Sequence, residues 1–91
     1  MKEIIKKLAT SLGDKFQAEY EAYCKNTGHI MHGAAMKADA MTKASFCETI
    51  EELEAMKTYY EIGIRQFETK NTPHGFKFHK DAMIELISLL K

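Results

Sequence analysis

The stretch Phe46–Phe67 of the sequence, FCETIEELEAMKTYYEIGIRQF, decides the fold. Apolar side chains recur in it every three or four residues, at Phe46, Ile50, Leu53, Met56, Tyr60, Ile64 and Phe67. This spacing places them on one face of an α-helix, while mostly glutamates occupy the other face. Ser45 and Glu48 have the spacing of a capping box, so we expect this helix to begin at Ser45 and to end near Thr69.

The preceding segment, residues 28–44, is expected to be the close neighbour of that helix. Glycine and alanine dominate it, and small side chains let a second helix approach closely. Its methionines suit irregular gaps between helices. Thr27 is the expected N-cap, because the run Lys25-Asn26-Thr27-Gly28 reads as a break. The sequence therefore predicts a central hairpin over residues 28–69.

The remaining segments are helical as well. Apolar stripes over residues 2–12 and 14–25 predict either one long helix kinked at Gly13 or two short helices. A last helix begins at residue 73 or 76, after the break Asn71-Thr72-Pro73, and ends at residue 90. We expect a single all-α domain over residues 1–91, with four to five helices in antiparallel hairpins or a small bundle.

Composition excludes several classes of function. Thirteen basic and 13 acidic side chains cancel, and only one of the basic residues, Arg65, is an arginine. Such a chain lacks the charge that attracts nucleic acid or an anionic membrane, so neither sequence-specific nucleic-acid binding nor membrane binding is expected. No apolar run approaches the ~18 residues of a membrane span. Cys24 and Cys47 are expected to be free thiols, in the cytoplasm.

No catalytic motif is present. The sequence contains no phosphate-binding loop, no dinucleotide-binding glycine pattern and no nucleophile elbow. None of the four histidines follows a glutamate by three residues, which argues against a di-iron bundle. Cys24, His29 and His32 are the best candidates for metal ligands, but their spacing fits no zinc module. We therefore expect no enzyme activity, no cofactor and no metal.

Two surfaces are candidates for binding. The junctions Lys25–His29 and Lys70–His74 each place a lysine beside an expected helix N-terminus, where an anion is favoured. A phosphorylated nucleotide would be held there by the candidate residues Tyr20, Tyr23, Lys25, Asn26, Thr27, His29 and Arg65. The last helix is apolar most of the way round, which predicts a homo-oligomer. The expected interface residues are Met83, Ile84, Ile87 and Leu90.

The run Glu52–Tyr60 (ELEAMKTYY), followed by Arg65 and Phe67, resembles the second helix of helical hairpins in small proteins encoded by large tailed phages. Some of those proteins are oligomeric sponges for cyclic nucleotide signals of bacterial immunity. The leading hypothesis is a non-enzymatic helical binding or inhibitory protein directed at a host factor, located in the host cytoplasm. The alternatives are a homo-oligomeric sponge for a cyclic or phosphorylated nucleotide, and a Cys/His/Met metal-binding protein.

Overall fold

A computed structural model describes residues 1–27, 32–68 and 76–91, apart from the side chains of Thr27, His32 and residues 66–68. Within these ranges the chain forms four α-helices and no strand. They are α1 (Lys2–Thr27), α2 (His32–Ala44), α3 (Ile50–Glu68) and α4 (Phe76–Leu90). The predicted all-α class is confirmed.

Gly13 lies inside one continuous helix. The buried stripe of α1 runs through Ile5, Ala9, Leu12 and Phe16 without interruption. A glycine costs a helix only about 1 kcal/mol, which this packing offsets. A Cβ at Gly13 would lie 3.3 Å from Cβ of Met41. Gly13 therefore marks the close approach of α1 and α2 rather than a boundary.

The start of α3 differs from the prediction. Thr49 is the N-cap, because its Oγ1 accepts a hydrogen bond from the Glu52 amide at 3.2 Å. The Ser45 hydroxyl instead donates to the Thr42 carbonyl at 2.6 Å and closes the end of α2. Phe46 therefore lies in a non-helical linker and is 80% exposed, so it does not belong to the apolar stripe.

The helices form two antiparallel hairpins, α1 with α2 and α3 with α4. In the first, Lys2 at the start of α1 pairs with Glu48 beyond the end of α2, at 3.4 Å. In the second, Lys91 beyond the end of α4 pairs with Glu54 near the start of α3, at 2.8 Å.

The predicted central hairpin of α2 and α3 is not formed, because α2 packs against α1 and α4 instead. At Gly33 an added Cβ would lie only 2.9 Å from the Phe78 ring of α4. The small side chains of α2 therefore pack against α1 and α4 rather than against α3. Ordered by their main contacts, the helices follow one another in space as α1, α2, α4, α3.

One core joins all four helices. Its largest fully buried side chains are Phe16, Ile5, Met41, Leu53, Met83 and Leu86. Because α4 contacts each of the other three helices, it is the most deeply packed element. The core accounts for the apolar residues Ala82, Met83, Leu86 and Ile87 of α4, whereas Ile84 and Leu89 are 45% and 55% exposed.

Candidate functional site

The nucleotide site was predicted at a helix N-terminus, but its residues Lys25–Thr27 lie at the C-terminal end of α1. Lys25 and Asn26 are exposed in the last turn of α1, and Thr27 is the last residue of that helix rather than the N-cap of the next. The C-terminal end of a helix presents carbonyl groups and the negative end of the dipole, which disfavour an anion. His29 and the Lys70–His74 junction lie outside the described residues.

The aromatic members of that predicted site lie on α1. Tyr20 is half-buried, and Tyr23 is 38% exposed. Cys24, one turn after Tyr20, raises the pKa of the Tyr20 phenol, first through a hydrogen bond and then through its charge. Arg65 is exposed on α3, whose main partner is α4 rather than α1. Arg65 and the tyrosines of α1 therefore lie on helices that are not close neighbours.

The candidate metal ligands are only partly described. Cys24 is half-buried and Cys47 is buried, and both are free thiols. His29 and the side chain of His32 lie outside what the structure describes. Within the described residues, no three His, Cys, Asp or Glu side chains are grouped so that they could hold a metal ion.

The predicted oligomer interface on α4 requires a correction. Met83 is 0% exposed and Ile87 is 6% exposed, because both side chains fill the core of their own chain. They are therefore not available to a second subunit. Leu90 is half-buried, and Ile84 is 45% exposed. Ile84 alone of the four presents much of its side chain at the surface.

A partly buried polar contact joins α2 to α4, with His79 buried and Asp39 about half exposed. Nε2 of His79 lies 3.0 Å from Oδ2 of Asp39, and the same carboxylate pairs with Lys43 at 3.2 Å. The hydrogen bond to His79 is the largest cause that lowers the pKa of Asp39. The rings of Tyr60 and His79 lie 4.9 Å apart, and burial raises the pKa of the Tyr60 phenol. The contact ties α2 to α4, and through the ring of Tyr60 it also reaches α3.

The outward face of α3 carries a second apolar stripe. Ala55, Tyr59 and Ile62 follow one another at i, i+4 and i+7, and we call them the α3 outer stripe. Tyr59 is 64% exposed and Ile62 is 47% exposed. The Tyr59 ring rests 5.6 Å from Tyr60 and 6.1 Å from Phe76, which holds it in place. The sequence spacing of the α3 outer stripe was visible beforehand. It was not singled out because the buried stripe through Leu53 and Tyr60 was enough to predict the helix.

A groove of about 320 Å³ runs between α1 and α2. Small and uncharged side chains form most of its lining, and Asp14 is the single charged residue in it. The lining residues are Ala9, Thr10, Gly13, Asp14, Gln17, Ala38, Met41, Thr42 and Ser45. Gly13, at the close approach of α1 and α2, is one of the residues that line the groove.

Comparison with known proteins returned no family model, no curated protein and no solved structure that matches the chain. None of the described helices is long and apolar enough to cross a membrane. A functional assignment therefore depends on the surfaces of the chain itself, of which the α3 outer stripe and the α1–α2 groove are the two most distinctive.

Proposed function

We propose that this protein is a small non-enzymatic binding protein that docks the α3 outer stripe into an apolar groove of a protein partner. The observation that carries the proposal is the exposure of Tyr59 (64%) and Ile62 (47%) on one face of a helix whose other face is buried. A helix with apolar anchors at i, i+4 and i+7 is the usual ligand of a hydrophobic groove.

The stripe has the chemistry of an interface centre. Tyr59 supplies a large aromatic surface, and its contacts with Tyr60 and Phe76 reduce the conformational entropy that binding would otherwise cost. Aromatic anchors surrounded by polar side chains dominate the binding energy of many interfaces. Glu52 and Arg65, both exposed on the same helix, provide such a polar rim.

The resemblance to phage-encoded helical hairpins supports a choice of partner. The resembling run, Glu52–Tyr60 with Arg65, lies within α3 and contains two of the three residues of the stripe. The partner would accordingly be a bacterial host protein that the chain inhibits in the host cytoplasm. The nucleotide-sponge alternative is not proposed, because Lys25–Thr27 belong to the C-terminal end of α1.

Site-specific cross-linking tests the proposal. A photoreactive phenylalanine analogue is placed at Tyr59, and in a separate variant at Ser11, an exposed residue of α1 that serves as the matched control. We expect one bacterial protein to cross-link from position 59 and not from position 11.

The cross-linked partner is then purified and its affinity measured. Tyr59→Ala combined with Ile62→Ala should weaken binding by more than about tenfold, the cost of losing an interface hot spot. Circular dichroism serves as the control for folding, since both side chains are largely exposed. Equal cross-linking from both positions, or unchanged affinity of the folded double variant, would contradict the proposal.

A further inference from the structure

We propose that a second copy of this chain docks on the α1–α2 groove, with the two α1 helices antiparallel around a two-fold axis near Thr10. Lys6 of each copy then faces Asp14 of the other. This inference concerns a different surface and a different partner from the α3 outer stripe, and it replaces α4 as the place where two subunits meet.

The groove lining is partly small and apolar. Ala9, Gly13, Ala38 and Met41 carry no polar side-chain group, and the other five lining residues are polar. Small side chains allow two helix axes to approach closely. Phe46, 80% exposed, directly follows the lining residue Ser45 and adds an apolar side chain to the chain segment at that end of α2.

The charge along α1 is polarised. Residues 1–7 contain three lysines and one glutamate, whereas residues 14–21 contain three acidic residues and one lysine. Thr10 and Asp14 line the groove, and Lys6, four residues before Thr10, lies one turn further along the same side of α1. Lys6 and Asp14 are exposed, and neither forms an ion pair within the described ranges.

This pattern is complementary to itself. Lys6 and Asp14 lie eight residues apart, or about 12 Å along the helix at the standard rise. An antiparallel second α1 centred on Thr10 brings Lys6 opposite Asp14 twice, as a two-fold axis requires. A parallel arrangement would instead place like charges together, which costs binding energy. A second copy of the chain therefore complements the charges of α1 and can approach the small lining residues of the groove closely.

The arrangement leaves the proposed binding surface free. The main partner of α3 is α4, and the α3 outer stripe is exposed and does not line the α1–α2 groove, so both stripes of a dimer remain accessible. Two stripes on one particle would raise the apparent affinity for a partner that is itself oligomeric.

Sedimentation equilibrium of the purified chain, with charge-reversed variants, tests this proposal. We expect a monomer–dimer equilibrium that weakens with salt, since exposed ion pairs are screened. Lys6→Glu or Asp14→Lys alone should each weaken dimerisation by about tenfold, because each change turns two attractive contacts into repulsive ones. The doubly reversed variant, and an equimolar mixture of the two single variants, should both dimerise again.

Two further variants separate the groove from general effects of charge. Lys77→Glu, on α4, is the matched control and should leave the dimer unchanged. Thr10→Trp places a bulky side chain on the axis at an exposed position and should give a folded monomer.

A chain that remains monomeric at millimolar concentration would overturn the proposal. So would a dimer that is insensitive to Thr10→Trp, or single variants that do not restore dimerisation when mixed. The cross-linking from Tyr59 is read out independently, so failure of one proposal leaves the other standing.

Discussion

Gly63 of α3 lies against Phe76 of α4, so replacing it with alanine tests how tightly the two helices pack. A Cβ there would overlap Cδ2 of Phe76 and lie 2.6 Å from its Cε2. The Phe76 ring cannot turn away freely, because it packs between Tyr60 and His79 at centroid distances of 5.6 and 5.8 Å. Gly63→Ala should therefore destabilise the fold by about 1–2 kcal/mol, since overpacking outweighs the gain of about 1 kcal/mol in helix propensity.

Urea unfolding of a double-mutant cycle measures this effect. In a Phe76→Leu background the clash is relieved, and Gly63→Ala should then cost much less or become stabilising. An equal cost of Gly63→Ala in both backgrounds would show that the Phe76 ring is not the obstacle.

The Asp39 carboxylate makes stability depend on pH. Its pKa lies below the ordinary value of 3.8, chiefly because His79 hydrogen-bonds to it. The unfolded chain therefore takes up this proton before the folded chain does. The stabilisation is present above pH 3.8 and is lost as the pH falls through the lower folded pKa.

Asp39→Asn tests that dependence by urea unfolding between pH 7 and pH 3. The difference in unfolding free energy between wild type and variant should shrink as the pH falls. Asp81→Asn, at an exposed residue of α4, is the control and should show no such trend. A difference for Asp39→Asn that stays constant over the whole range would contradict the account.

At the scale of a helix, two hydroxyl residues that precede α3, Ser45 and Thr49, have different roles. Thr49 accepts the Glu52 amide and satisfies a backbone donor of the first turn, so Thr49→Ala should cost about 1 kcal/mol. Ser45 donates to a carbonyl of α2 and caps nothing in α3, so Ser45→Ala should cost less than about 0.5 kcal/mol. Thermal unfolding of both variants compares them. The reverse order would restore Ser45 as the start of α3.

The helices themselves could be predicted from the sequence because periodicity reports burial directly. The stripe from Leu53 to Tyr60 is buried or half-buried, as expected. The start of α3 could not be chosen, because Ser45-x-x-Glu48 and Thr49-x-x-Glu52 have the same capping-box spacing. The sequence could not decide whether the helix continues through Gly13, because that depends on how closely Met41 approaches it.

At the scale of the molecule, helix partners could not be predicted. Small residues on α2 indicate that some helix comes close, but they do not say which one. Phe78 of α4 fills the space at Gly33, and His79 binds Asp39, so α4 rather than α3 is the second main partner of α2. Most of the apolar side chains of α4 are therefore explained by its central place, with Ile84 and Leu89 as the exposed exceptions. The candidate surfaces on α3 and in the α1–α2 groove could be identified only when the spatial order of the helices was known.

The helix order α1, α2, α4, α3 is the central claim, because it decides which faces are exposed. Nuclear Overhauser contacts in solution measure it most directly. The account predicts cross-peaks between Gly33 and the Phe78 ring, between His79 and Tyr60, and between Gly63 and the Phe76 ring. Cross-peaks from Gly33 and Ala38 to side chains of α3, without any between Gly33 and Phe78, would contradict it.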